Sequence, residues 1–471
     1  MAARSDLYHP RPGIDVLRWP GIGRFLRSRY GRLVGQLLLL LAAALIVYDG
    51  FTGPQFAPEN IATVTVWLHY RGFVMLGLLL VGNLFCMNCP FTLPRTLARK
   101  WSGAGRRWPR ALRNKWVAIA VLAMFFFLYE WLDLWASPWL TAWVLLAYFA
   151  AAFALEFAFA ESPFCKYVCP LGTFNFVGST LSPLQITVTS RDVCRACVGK
   201  ECINGSPQAL GCGTELFAPQ IKSNLDCTLC LDCARACPHD NVALVARAPL
   251  RELSAPDAWP RRWDLALLIW VFVFTGLSNA FGMTPPVYVL EEALTRGLKL
   301  QNPGAALLLI FGVLNVLLPL GLATAVAGLS RALDEPRDSL RNHLARFTPA
   351  LVPLGFSVWL AHNGFHFATG ALSIFPVVHN FLLDHGVTAL GAAPNWQLSA
   401  IMPFTWLLPM QIVFILLGFG GSFYVLGENG RQTNTSFKAQ LPWLILLIGL
   451  AAAAIALFNL PMEMRGTSFM H

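Results

Sequence analysis

The chain has 471 residues, of which 56% are hydrophobic and only 13% charged, with a mean hydropathy of +0.55 and a formal net charge of +10. That balance excludes an ordinary soluble globular protein. The positive charge is accounted for by membrane topology and lipid headgroups, so no nucleic-acid partner is implied.

The first 34 residues form a basic N-terminus carrying Arg18, Arg24, Arg27, Arg29 and Arg32. No small-residue cleavage site follows the first apolar run, so that run is expected to stay as a span and not to be removed as a signal peptide. Apolar runs recur at about 35–50, 66–85, 116–135, 139–160, 263–282, 303–329, 348–375, 402–426 and 441–460. Each is long enough, or nearly so, to cross roughly 30 Å of hydrocarbon, which predicts about nine spans. Four fall in a first bundle, 35–160, and five in a second, 263–471.

Basic residues alternate with the spans. Arg95, Arg99, Lys100, Arg106, Arg107, Arg110, Arg113 and Lys115 follow the second run, and Arg331, Arg337, Arg341 and Arg346 follow the sixth. The stretches 51–65 and 136–138 are nearly free of Lys and Arg. By the positive-inside rule the basic set and the N-terminus face the cytoplasm, and so does the segment 161–262. A bacterial inner membrane is the expected location.

All 12 cysteines lie between Cys86 and Cys237. Cys86-Met-Asn-Cys89-Pro90 ends the second run and Cys165-Lys-Tyr-Val-Cys169-Pro170 follows the fourth. Both pairs reach the same predicted face, so helix packing would bring four thiols together at the membrane edge. They read as a third cluster, a copper or other metal site, or a dithiol; the bland reading is four inert buried cysteines. Proline after the second cysteine of each pair stops a helix there.

Cys227-Thr-Leu-Cys230-Leu-Asp-Cys233-Ala-Arg-Ala-Cys237-Pro238 is the ferredoxin run C-x2-C-x2-C-x3-C-P, in which three thiolates hold one [4Fe–4S] cluster and the fourth reaches another. On that exchange Cys194, Cys197, Cys202 and Cys237 hold one cluster, and Cys227, Cys230, Cys233 and Cys212 hold the second. Structural zinc fits a C-x2-C pair but leaves the third cysteine and the Cys-Pro unexplained. A reducing cytoplasm, which keeps thiols available to iron, agrees with the side the charges choose.

From 263 onward there is no cysteine. His362 and His366 share one face of the seventh run, His379 follows, and His69 lies in the second. Histidine within a span is costly and points into a bundle or a polar cavity. The readings are a haem b or metal site, a quinone or proton-relay site, or structural histidines. His362 and His366 on one helix face cannot supply both axial ligands of a haem, so a bis-histidine site would need a partner such as His69. Glu130 and Asp133 near the end of the third run read as interface carboxylates or a proton path. Gly420-Gly421 reads as a site of close helix packing, and the stretch around Glu291–Lys299 as a short interfacial helix.

Cys165-Lys-Tyr-Val-Cys169-Pro170-Leu171-Gly172 resembles the C-x3-C-P-[LF]-G element of the NapH/NosR-type membrane polyferredoxins. The order of spans, Cys-Pro elements and ferredoxin run over about residues 30–245 is similar to theirs, although Cys86 and Cys89 stand one residue closer than that element has them. The later spans bear a fainter likeness to the membrane iron–sulfur proteins called FesM. The resemblance implies electron transfer between quinol, cytoplasmic clusters and periplasmic respiratory enzymes or copper centres.

The expected molecule is an all-α polytopic membrane protein with a small inserted α+β two-cluster ferredoxin-like domain at 161–262. Its expected role is to pass electrons between a cytoplasmic or quinone donor and a periplasmic cytochrome or other respiratory partner. The alternative is a copper-reducing or metal-handling assembly factor.

Overall fold

The computed structural model describes residues 13–94, 98, 101, 105–159, 162–207, 209–255, 259–260, 262–334 and 338–462. Arg95, Arg99, Lys100 and Arg337, four of the basic residues in the orientation argument, lie outside the described residues. The molecule is mostly helical, with one two-stranded sheet. Among the described residues eight helices are long and apolar enough to cross a membrane: Tyr30–Thr52, Ile61–Leu80, Pro138–Ala158, Trp263–Phe281, Gly304–Ala332, Leu340–Gly370, Phe404–Gln432 and Phe437–Phe458.

The third expected span, over the run 116–135, is shorter than its apolar run. Its helix covers Trp116–Trp131, 16 residues, and a turn with Asp133 at φ 45° follows. At 1.5 Å per residue that helix reaches about 24 Å, short of the hydrocarbon thickness. Apolarity continued to 135 in the sequence; the left-handed backbone at Asp133 ended the helix.

The chain divides into two compact units. The first joins Met1–Leu41, Leu76–Ala118 and Tyr148–Arg261; the second joins Ala42–Met75, Ile119–Ala147 and Arg262–His471. The segment 161–262 is therefore one part of a larger compact unit that includes the N-terminal stretch.

In the first unit β1 (Leu184–Val188) pairs antiparallel with β2 (Val242–Ala246), from Leu184 opposite Ala246 to Val188 opposite Val242. The free edge of β2 is covered: the Leu244 amide donates to Asp15 (3.1 Å) and the Ala246 amide to the Ile14 carbonyl (3.2 Å). Ile186, Leu229, Leu231, Val242, Leu244 and Leu17 build the core beside this sheet, with Cys227 and Cys233 among them. A buried Arg247–Glu252 pair closes it. Arg247 also donates to the carbonyls of Ser182 (2.9 Å), Ser179 (3.2 Å) and Thr180 (2.9 Å) and to Gln185 (3.1 Å), while Glu252 accepts from the Asn224 amide (3.0 Å). The residues entering β1 are thus tied to those just ahead of Cys227, and every donor of the buried guanidinium is directed at an oxygen or its own pair.

In the second unit Trp263–Phe281 and Leu340–Gly370 are enclosed over most of their length, whereas the outer helices keep exposed apolar faces, as expected of lipid-facing spans. The Trp359 indole donates to the Phe272 carbonyl (2.9 Å) and packs where Gly276 has no side chain. Close packing in Phe404–Gln432 belongs to Gly418, whose missing Cβ leaves room for Ser357 and Pro353; Gly420, expected to serve this purpose, faces open space. The expected interfacial helix forms as Pro285–Gly297 with exposed Tyr288, Val289 and Leu290.

Candidate metal centres

Three sets of four cysteines stand in the first unit. In the first set, helix Arg191–Ala196 carries Cys194 and ends at Cys197, helix Glu201–Asn204 carries Cys202, and Cys237 ends helix Asp232–Ala236. All four line one cavity of about 340 Å³, counted to its mouth. Asn241 fastens this corner. Its amide donates to Cys194 Sγ (3.1 Å) and to the Ser190 carbonyl (2.6 Å), and its oxygen accepts from the Ser190 amide (2.8 Å). Burial pushes the Cys202 thiol up, and the charges of Cys194, Cys237 and Cys197 add to it.

The second set is Cys212, Cys227, Cys230 and Cys233. Burial pushes the Cys227 thiol up against the pull of the Leu229 amide, with Cys212 and Cys230 adding charge. Burial pushes Cys230 up to about 11, Asp232 adding and Arg32 opposing. Cys233 is raised well above its ordinary value by burial and by the other three cysteines. The loop wraps tightly because Leu229 (φ 55°) and Leu231 (φ 61°) are left-handed. Such backbone costs about 1–3 kcal/mol per residue and persists where surroundings over-determine it; both leucine side chains are held in the core. The Leu216 amide donates to Cys212 Sγ (3.4 Å), and the Cys212 amide to the Cys202 carbonyl (2.9 Å). The first and second sets therefore touch through the backbone.

The third set is Cys86, Cys89, Cys165 and Cys169, brought together from the two Cys-Pro elements. Proline explains the local shape. Each stands directly after its cysteine and opens a new helical stretch, Pro90–Thr92 and Pro170–Gly178, so the chain turns at the sulfur. Cys86, Cys89 and Cys169 are buried. Burial pushes Cys86 up to about 11 against donation from Asn175 and Asn83, and Cys169 up to about 12 against the Gly172 and Leu171 amides. Cys165 is raised well above its ordinary value by burial, then by Cys89 and Cys169.

Each set pairs sulfurs with N–H donors, the arrangement that favours thiolates and tunes a metal centre. Four thiols apiece, half-buried in the first set and partly or mostly buried in the other two, are a donor set that fits an iron–sulfur cluster. A single ion is a different matter. Among the described residues no group of three His, Cys, Asp or Glu side chains is gathered so as to hold a metal ion. A cubane spreads its sulfur ligands over the corners of a cage and has no need of donors crowded onto one point.

No protein-family model, no curated protein and no solved structure matches this chain.

In the second unit the histidines do not gather. His362 and His366 lie edge to face, ring centroids 5.0 Å apart, in the core of Leu340–Gly370. His69 Nδ1 is 3.0 Å from the Val64 carbonyl and Nε2 2.9 Å from the Ala371 carbonyl. The backbone over Val64–Tyr70 is wound as a π-helix, which sets the carbonyl five residues back within reach of the ring. Both ring nitrogens of His69 thus face backbone oxygens, and a neutral ring donates to only one of them. His379 Nε2 is likewise directed at the Gly391 carbonyl (3.2 Å). Glu130 accepts from Asn279 (2.9 Å), a helix–helix contact.

His366 instead lines a cleft, about 360 Å³ when counted out to its open mouth, with Trp67, Arg71, Tyr129, Trp135 and Met283. The Arg71 guanidinium lies over the Tyr129 ring at 4.4 Å and the Trp67 ring at 5.0 Å. Among the described residues no carboxylate pairs with it. Arg71 is a charge inside an apolar run, a functional signal by default. Of its companions only Trp67, four residues earlier, shares its helix face; Tyr129, Trp135, Met283 and His366 come from other helices and turns.

Proposed function

We propose that the chain is a membrane-bound iron–sulfur electron-transfer protein, passing electrons between a cytoplasmic or quinone donor and a respiratory partner across a bacterial inner membrane. One observation carries this: the eight ferredoxin-type cysteines, Cys194 to Cys237, divide into two neighbouring quartets along the lines of the exchange rule. The basic residues after alternate spans support a cytoplasmic side for the cysteines. The likeness of Cys165–Gly172 to the NapH/NosR-type element supports the same role.

For the membrane half we propose a quinone headgroup in the cavity of Arg71 and His366. Arg71 supplies N–H donors to a quinone oxygen, His366 stands at the wall to hold a proton, and Trp67 and Tyr129 offer flat apolar faces. This is favoured over haem because His69 and His379 are engaged with carbonyls.

Anaerobic purification with iron, zinc and haem determination and a visible spectrum is the direct test. Two cubanes should give about eight iron atoms per chain and a broad visible absorption. Tightly bound zinc with no such absorption would sink the proposal.

A further inference from the structure

Three links join the second and third cysteine sets, and none is explained by either set alone. Arg32, at the start of helix Tyr30–Thr52, donates through Nε to the Met87 carbonyl (3.0 Å), through Nη1 to Asp232 (2.9 Å) and through Nη2 to Thr92 (2.9 Å). Met87 lies between Cys86 and Cys89, and Asp232 between Cys230 and Cys233. Asn83 donates to the Cys227 carbonyl (3.1 Å) and also reaches Cys86. Lys166, between Cys165 and Cys169, donates to the Thr214 carbonyl (2.7 Å), two residues beyond Cys212.

A guanidinium in this position is costly to desolvate and needs compensating negative charge. Asp232 supplies one charge, but Arg235 shares it. Cys230, Cys89 and Cys165, one from the second set and two from the third, all lie within electrostatic reach of Arg32. The third set also has donors aimed at its sulfurs, Asn175 to Cys86 (3.4 Å) and Gly172 N to Cys169 (3.2 Å), which serve thiolates better than thiols.

We propose that Cys86, Cys89, Cys165 and Cys169 hold a third iron–sulfur centre, and that it exchanges electrons with the second set, with Arg32 as the positioning charge shared by both. The proposal rests on the reading of the first two sets as clusters. Electron exchange between the two centres would oxidise one as it reduced the other, one electron at a time, with no proton transferred and no bond made or broken. Arg32 favours the reduced form of each, because either centre gains a negative charge beside it. Charge within about 10 Å, at an effective dielectric constant near 20, is worth on the order of a tenfold change in the ratio of reduced to oxidised centre.

The test uses the full chain, purified anaerobically in detergent, with iron analysis and electron paramagnetic resonance at controlled potentials. Wild type should hold more than about eight iron atoms, and Cys89→Ser should lose two to four of them while the signals of the first two sets remain. Reduced wild type should show magnetic broadening between neighbouring centres that Cys89→Ser abolishes. Arg32→Gln should lower the potentials of the second and third centres by about tenfold in that ratio, 59 mV for one electron, and leave the first unchanged. Arg32→Lys, which keeps the charge, should restore most of the shift. If Arg32→Gln fails to fold, the broadening and the Cys89→Ser iron loss still decide. Iron fixed at about eight atoms in both wild type and Cys89→Ser would overturn this inference and leave the two-cluster reading standing. A wild-type chain without iron would overturn both.

Discussion

The two compact units treat their metal-ligating residue types in opposite ways. All 12 free thiols fall in one compact unit, the cysteine unit, and its backbone bends into left-handed turns at Leu229 and Leu231 on either side of Cys230. In the histidine unit the four expected ligands are dispersed. Two lie against each other inside one helix, and two are directed at carbonyl oxygens. A residue type that binds metal elsewhere is no sign of a site when the fold already supplies its hydrogen-bond partners. The second unit instead concentrates its unusual chemistry on Arg71, a charge whose partners among the described residues are aromatic faces.

The comparison breaks most sharply on iron content. Cys230→Ser should remove about four iron atoms, one cubane, whereas His362→Ala and His69→Gln should remove none. Metal analysis of the three variants side by side decides it; iron lost with either histidine would give the second unit a centre of its own.

A second test asks whether the cysteine unit depends on its buried ion pair. Arg247→Met leaves Glu252 buried without its partner and should cost about 3–5 kcal/mol, read as a lower unfolding midpoint and as cluster loss on mild heating. Replacing both partners by apolar residues should recover much of that loss.

Sharpening the other side requires a quinone. Arg71→Gln should weaken binding of a short-chain quinone about tenfold to a hundredfold, as expected for loss of hydrogen bonds from a charged donor. Quenching of the cavity tryptophans by the quinone provides the reading. Equal binding by wild type and variant would remove the ligand from that cavity.

The smallest effect is expected at His379. Its single bond to the Gly391 carbonyl predicts that His379→Gln costs about 1 kcal/mol and changes no visible spectrum. A b-type haem spectrum in wild type that vanishes in this variant would overturn the structural assignment.

The chain's spacing and periodicity were enough to read the membrane class and most of the spans. These signals are local, because a span announces itself by length and apolarity. Packing decided the rest. The turn at Asp133 shortened the third apolar run below spanning length, and Gly418, not Gly420, took the close helix contact. A carbonyl from Ala371 reached His69 across 302 positions of sequence, and no pattern around His69 could show that its second nitrogen faces a backbone oxygen. Likewise Arg32 reads in the sequence as one more basic residue of the positive-inside set. Only the tertiary structure lays its guanidinium between Met87 and Asp232, because hydrogen bonds between distant segments depend on where helices end and not on local composition.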